Sequence, residues 1–202
     1  MTGFAAGSPA TVLRVAALAA VASSLGIVLA TKTLADRPRP IEWSAQELTD
    51  IEGHPFDASA LDGRVVLLVN TASRCAFTPQ YEGLEALHQR YEGTGLTVLA
   101  VPSNDFGGQE PGANASIAAF CTSAYGVSFP MLQKARVSGE GAHPLFAWAR
   151  RSGGRAAIPA WNFHKILVGR DGRVVAGFPS HVSPRSPQVM GAVERALRTP
   201  AF

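Results

Sequence analysis

Two blunt apolar runs set the tightest limit on how this chain can fold. Val65 to Asn70 ("VVLLVN") and Leu96 to Pro102 ("LTVLAVP") are each of strand length. Neither shows the alternation of a half-exposed strand, so each is expected inside a sheet that is covered on both faces. Between them, Thr78 and Pro79 offer a hydroxyl cap followed by proline at the first helical position. Tyr81, Leu84, Leu87 and Tyr91 then recur near helical spacing, and Gly93 and Gly95 stop the helix. Strand, helix, strand at this separation calls for a right-handed crossover and a parallel pair.

The flanking segments complete the outline. "LTDIEGHPFDASALDG" predicts a short hairpin that turns near Glu52-Gly53, and "KILVGRDGRVVAGF" a second one that turns at Asp171-Gly172. The loop "SNDFGGQEPGAN" leads into a short helix over Ser116 to Ala124, ended by Gly126. "VSFPMLQKARV" predicts one or two extended pieces, His143 to Arg151 a helix, and Val189 to Arg198 a closing amphipathic helix. The sum is an α/β chain of thioredoxin-like outline: a central mixed β-sheet flanked by helices, with an N-terminal hairpin.

Ahead of this domain, Arg14 precedes an uncharged, mostly apolar run from Val15 to Ala30, which Lys32 follows. That run is short for a membrane span and suits the core of a signal peptide, with Thr33-Leu34-Ala35 as a loose cleavage site. Residues 1–35 are therefore expected to be a signal peptide or an uncleaved membrane anchor. Either places the folded part in the periplasm or cell envelope, and a cytoplasmic chain is the weaker alternative. Residues 36–44, rich in Pro and Arg, are expected to be a linker, and 45–202 one domain. The net charge of +3 comes from 18 basic and 15 acidic residues; without Arg14 and Lys32 it falls to +1. No basic cluster follows, so nucleic acid is not an expected partner. The histidines lack metal-ligand spacing and no phosphate or dinucleotide loop is present, so no metal or other cofactor is expected.

Cys75 lies in "TASRCAFTPQ", between the first apolar strand and the helix. Unpaired amides and the helix dipole at such a place favour an anion, here the thiolate, and Arg74 adds a positive charge nearby. By itself this spacing fits ordinary packing equally well. Cys121, in "ASIAAFCTSAYG", shares a helical face with Ile117, Phe120 and Ala124. Taken alone it fits a buried, inert thiol, or one half of a structural disulfide in an exported chain.

Three stretches, "VNTASRCAFTPQYEGLEAL", "FGGQEPG" and "WNFHK", resemble the glutathione peroxidase family in this order and at family-like separations. The resemblance spans roughly Leu48 to Leu197 and is most similar to the cysteine-containing, thioredoxin-dependent members. It implies that Cys75 is the peroxidatic sulfur and that Gln109, Trp161 and Asn162 are its neutral donors. It also implies that Cys121, in a matching "FC", is the resolving thiol that closes an intramolecular disulfide with Cys75. The substrate would be hydrogen peroxide or an organic or lipid hydroperoxide, and the reductant a thioredoxin-like protein or glutathione. The segment that tetrameric members use for assembly is absent, which implies a monomer. Ala76, Asp105 and His164 depart from the usual pattern, and Asp105 is expected to place a negative charge near the thiolate. The alternatives are a thioredoxin-group thiol-disulfide oxidoreductase and a peroxide sensor. The first would need a second thiol at Thr78, and disulfide exchange has no use for the Gln-Trp-Asn set.

Overall fold

The computed structural model describes residues 1–3 and 39–200. The expected signal or anchor segment falls almost wholly outside the described residues, and the folded unit runs from Pro38 to Phe202. It begins earlier than the linker expectation allowed: Ile41 and Trp43 are buried in the core, and the Ile41 N–H donates to the Gly172 carbonyl at 2.8 Å. An Ile and a Trp supply too much apolar surface for a solvated linker once a hydrophobic wall lies within reach.

A small antiparallel ribbon, β1 (Leu48–Thr49) with β2 (Pro55–Phe56), opens the fold as expected. The main sheet has four strands in the order β4-β3-β5-β6. Its parallel pair is β3 (Val65–Thr71) and, at the sheet edge, β4 (Leu96–Pro102), in register from Val65↔Leu96 to Thr71↔Pro102. Every residue of both strands is buried, which is why neither run alternates. The crossover helix is α1 (Gln80–Tyr91), and Gly95 turns the chain into β4 at a φ of +105°, a value that glycine tolerates. The second hairpin, β5 (Lys165–Val168) with β6 (Val174–Phe178), adds its first strand antiparallel to β3, pairing Val69 with Lys165.

The remaining helices are α2 (Asn114–Tyr125), α3 (Pro144–Gly153) and α4 (Pro187–Arg198). Val65, Leu67 and Val69 face a core built with α1, α4 and, from α2, Ile117 and Cys121. Val66 and Leu68 face the opposite layer, with Trp43 and with Leu145, Phe146 and Ala149 of α3. Each fully buried Val or Leu contributes roughly 1.5–3 kcal/mol, so this sandwich dominates stability. The segment after α2 forms only isolated bridges, Met131 to Ala100 and Leu132 to Asp50, in place of the expected extended pieces. Pro130, which has no N–H to donate, breaks any ladder there. Among the described residues, no helix is long and apolar enough to cross a membrane.

Candidate active site

The turn after β3 is built around Cys75. Thr78 was expected to cap α1, but its hydroxyl serves the turn instead: it accepts from the Cys75 N–H at 2.9 Å and donates to the Ala72 carbonyl at 2.9 Å. The helix consequently starts at Gln80, and Pro79 adopts helical angles ahead of it. Backbone bonds from Thr78 to Cys75, Gln80 to Phe77 and Tyr81 to Thr78 run the turn directly into α1. The cysteine lies just beneath the surface, 8% exposed. Its sulfur accepts the Phe77 N–H at 3.4 Å, a backbone donor that cannot be read from residue type. Arg74 is exposed, and its own amide donates to the Gln109 carbonyl at 3.1 Å, which ties the cysteine turn to the glycine-rich loop.

That loop meets the Trp-Asn-Phe turn through side chains. The Asn162 Nδ2 donates to Gln109 Oε1 at 2.9 Å and to the Phe106 carbonyl at 3.4 Å. With its oxygen so engaged, Gln109 presents its NH2 as a donor that nothing else in the described residues accepts. Trp161 is 40% exposed and lies over the same loop, its ring 5.9 Å from that of Phe106. Glycine is favoured at Gly107 by its φ of +65°, while a Cβ there would only touch Trp161 and Gln109 at ordinary contact distance, 3.4–3.6 Å. Gln109, Trp161 and Asn162 thus converge on the loop that carries the Cys75 turn. None of them donates a hydrogen bond to the Cys75 sulfur in this arrangement, and Asn162 acts on Gln109.

Asn70, next to the end of β3, holds the Trp-Asn-Phe turn. It is fully buried; its Nδ2 donates to the Trp161 carbonyl at 3.0 Å, and its Oδ1 accepts the His164 N–H at 3.1 Å. Its backbone carbonyl accepts the Phe163 N–H at 2.7 Å. Phe163 is the single non-glycine with positive φ among the described residues, at +61°. A bulky residue pays for that geometry in strain, and the Asn70 clamp enforces it. Sequence reading missed this role, although an asparagine directly after the apolar run Val65 to Val69 was the visible signal.

Asp105 does not stand free beside the sulfur, contrary to expectation. Its Oδ2 accepts from the Val137 and Ser138 N–H groups and the Ser138 hydroxyl at 2.8–2.9 Å, with Arg136 at 4.0 Å from Oδ1. Glu110, next to Gln109, is buried and accepts from the Ser73 hydroxyl at 2.9 Å; burial raises its pKa above the usual carboxyl value. A cavity of about 180 Å³ opens between the Cys75 turn at Ser73 and Arg74, the loop at Glu110 and Gly112, and α2 at Ile117 and Phe120.

Cys121 faces the core from α2. Both cysteines are free thiols and belong to one apolar cluster. Burial pushes the Cys121 thiol up to about 11. Its helix sits more lightly than expected: only Ile117 and Cys121 are buried, Phe120 is half-buried against Tyr125, and Ala124 is exposed. Among the described residues no cluster of His, Cys, Asp and Glu is arranged to hold a metal ion.

The glutathione peroxidase family model matches residues 44–150, which covers the cysteine turn and the glutamine loop and stops short of Trp161 and Asn162. The chain is 44% identical over 147 residues to the glutathione peroxidase-like peroxiredoxin GPX5 of Chlamydomonas reinhardtii, across 72% of this chain and 91% of that one. It is 43% identical over 155 residues to the hydroperoxy fatty acid reductase gpx1 of Synechocystis, across 73% and 90%. It is 40% identical over 170 residues to the thioredoxin/glutathione peroxidase BtuE of Escherichia coli, across 73% and 93%. The crystal structure of Trgpx in apo form superposes with a TM-score of 0.64 at 32% identity, covering 80% of this chain and 99% of that one. The thioredoxin-like outline read from the sequence is thus the observed fold, and this chain belongs to the glutathione peroxidase family, an oxidoreductase of the peroxidase class.

Proposed function

We propose that the chain reduces hydrogen peroxide and organic or lipid hydroperoxides with Cys75 as the attacking sulfur. The thiolate attacks the distal peroxide oxygen, and the S–O bond forms as the O–O bond breaks. Cys75 becomes a sulfenic acid while the other oxygen departs as hydroxide or alkoxide and is protonated to water or an alcohol. Negative charge moves from sulfur to the departing oxygen, so neutral donors serve both ends of the transfer. The Phe77 N–H lies at the sulfur. The NH2 of Gln109 and the indole N–H of Trp161 are assigned to the leaving oxygen, with Asn162 orienting Gln109 through their 2.9 Å bond. Uncharged donors leave the sulfur more nucleophilic than a cation would.

Cys121 then attacks the sulfenic acid, forming a Cys75–Cys121 disulfide and releasing water. A thioredoxin-like dithiol restores both thiols. A dithiol suits a cycle that ends in an intramolecular disulfide, one relative is named for thioredoxin as well as glutathione, and the fatty acid reductase among the relatives favours a lipid hydroperoxide as one substrate. Residues 1–35 are assigned to export or anchoring, which would make the donor a thioredoxin-like protein outside the cytoplasm. A monomer is the proposed state. The observation that carries the reading is the bond pair at Gln109, which joins the cysteine turn through Arg74 and the Trp-Asn-Phe turn through Asn162. A peroxide-consumption assay with thioredoxin and glutathione supplied in turn tests it. Turnover should follow thioredoxin and vanish in Cys75→Ser; turnover that survives Cys75→Ser removes the site. Sequencing the mature N-terminus from fractionated cells tests the export assignment.

A further inference from the structure

Tyr81 stands where α1 meets α2. It is fully buried, its ring edge-on to Phe163 at 5.2 Å and tilted against Tyr125 of α2 at 5.4 Å. Its hydroxyl lies beside the Cys121 thiol and the Thr71 hydroxyl, near enough for each to influence its ionisation. Neither the Tyr81 nor the Thr71 hydroxyl finds an aligned hydrogen-bond partner, and both are sealed from solvent. Sulfur is a weak donor and a weak acceptor, so the Cys121 thiol does little for them. With the Thr71 hydroxyl and the Cys121 sulfur close but out of alignment, each hydroxyl keeps much of its desolvation penalty.

The helix above them is held mainly beyond its two ends. Ala113, at the start of α2, supplies no side-chain cap. Asn114 accepts the Lys134 N–H at 3.0 Å, and beyond the helix Glu85 of α1 accepts the Ser128 N–H and hydroxyl at 2.9 and 2.6 Å. Between these anchors only Ile117 and Cys121 are fully buried, with Phe120 and Tyr125 partly buried against the core. The middle of α2 can therefore open while its flanks stay in register.

We propose that Tyr81, seconded by Thr71, sets how readily Cys121 leaves the core to meet oxidised Cys75. The unpaired hydroxyls raise the closed arrangement relative to one in which α2 has opened and water reaches them. Tyr81 is thus a positioning residue, acting through α2. The inference rests on the proposed role of Cys121 as resolving thiol. In that step the Cys121 sulfur attacks Cys75–SOH, the S–O bond breaks, the S–S bond forms, and the departing hydroxide leaves as water with the Cys121 proton.

Tyr81→Phe tests the inference, because it keeps both ring contacts and removes only the hydroxyl. Reduced wild type and variant are mixed with one equivalent of hydroperoxide. Peroxide loss and the Cys75–Cys121 peptide are followed by quenched mass spectrometry, and hydrogen exchange is measured over residues 114–125. The variant should consume peroxide at the wild-type rate, form the disulfide about tenfold more slowly, and protect the α2 amides more strongly. Thr71→Val should shift both readouts in the same direction. Disulfide formation at or above the wild-type rate in both variants overturns the inference. So does slowing without added exchange protection, which would make the hydroxyl a proton-transfer group. If wild type itself forms no Cys75–Cys121 bond, the resolving role falls and this inference with it, an outcome visible in the wild-type arm alone.

Discussion

Replacing Asn70 with alanine should loosen the site without touching any residue assigned to the chemistry. The substitution removes two buried side-chain hydrogen bonds, to the Trp161 carbonyl at 3.0 Å and from the His164 N–H at 3.1 Å. Each is worth about 1 kcal/mol net, and the His164 amide, on a residue only 5% exposed, is left without that partner at a further cost of about 1–3 kcal/mol. A destabilisation of roughly 3–5 kcal/mol is expected. The kinetic consequence follows from Phe163. Held at a φ of +61°, its backbone relaxes toward ordinary angles once the two side-chain bonds are gone and only the backbone bonds to residue 70 remain, and Trp161 and Asn162 move with it. Gln109 then loses the bond that orients it. Stopped-flow measurement of peroxide reduction should show a second-order rate constant lower by about tenfold or more, in the range of a lost transition-state donor. Urea unfolding on the same preparation supplies the stability term. If Asn70→Ala stays within about 0.5 kcal/mol of wild type and reacts with peroxide at full rate, the clamp argument is wrong.

Two further predictions follow from the buried titratable groups. Cys121→Ser should still consume the first equivalent of peroxide but accumulate sulfinic acid on Cys75 under excess, read as a mass gain of about 32 Da on its peptide; a persistent sulfenic acid would refute it. Lys165 is fully buried, with its Nζ on the Ser180 and Val182 carbonyls at 3.3 and 2.7 Å, and burial lowers its pKa from 10.5 to about 7. Between pH 7 and 10.5 the unfolded chain binds a proton that the folded one does not, so stability rises with pH across that window. It falls as pH drops from 10.5 to 7 and levels off below 7, where both states are protonated. The two carbonyls oppose the shift, and a gain of about 1–3 kcal/mol between pH 7 and 9 is expected under reducing conditions. Above pH 9 the raised Cys121 thiol works in the opposite direction. Lys165→Met should flatten the slope in urea unfolding; an unchanged slope would assign it to other groups.

The features that sequence made legible are those in which one local rule governs. β3 and β4 are predominantly apolar and do not alternate because both faces are covered, and the β5–β6 turn carries the expected Asp171-Gly172 pair. What stayed hidden depends on partners distant in the chain. The Thr78 hydroxyl has two possible uses, capping a helix or closing a turn, and only the path of Ala72 to Cys75 decides between them. Asp105 looked like a charge beside the sulfur because its partners, Val137 and Ser138, lie more than thirty residues further along. The linker reading failed at Trp43, whose burial needs a wall that no local pattern announces. At the site, the residue types of Gln109, Trp161 and Asn162 were readable through resemblance. The bond that spends the Asn162 amide on Gln109, and the Asn70 clamp beneath it, were not.

The most direct test follows one sulfur through one turnover. Reduced protein is treated with a single equivalent of an organic hydroperoxide, quenched with an alkylating agent and digested without reductant. The account predicts one alcohol released per protein, with a linked peptide pair joining Cys75 to Cys121. In Cys75→Ser neither product should form. A Cys75→Ser protein that reduces the peroxide as fast as wild type would contradict the account at its root.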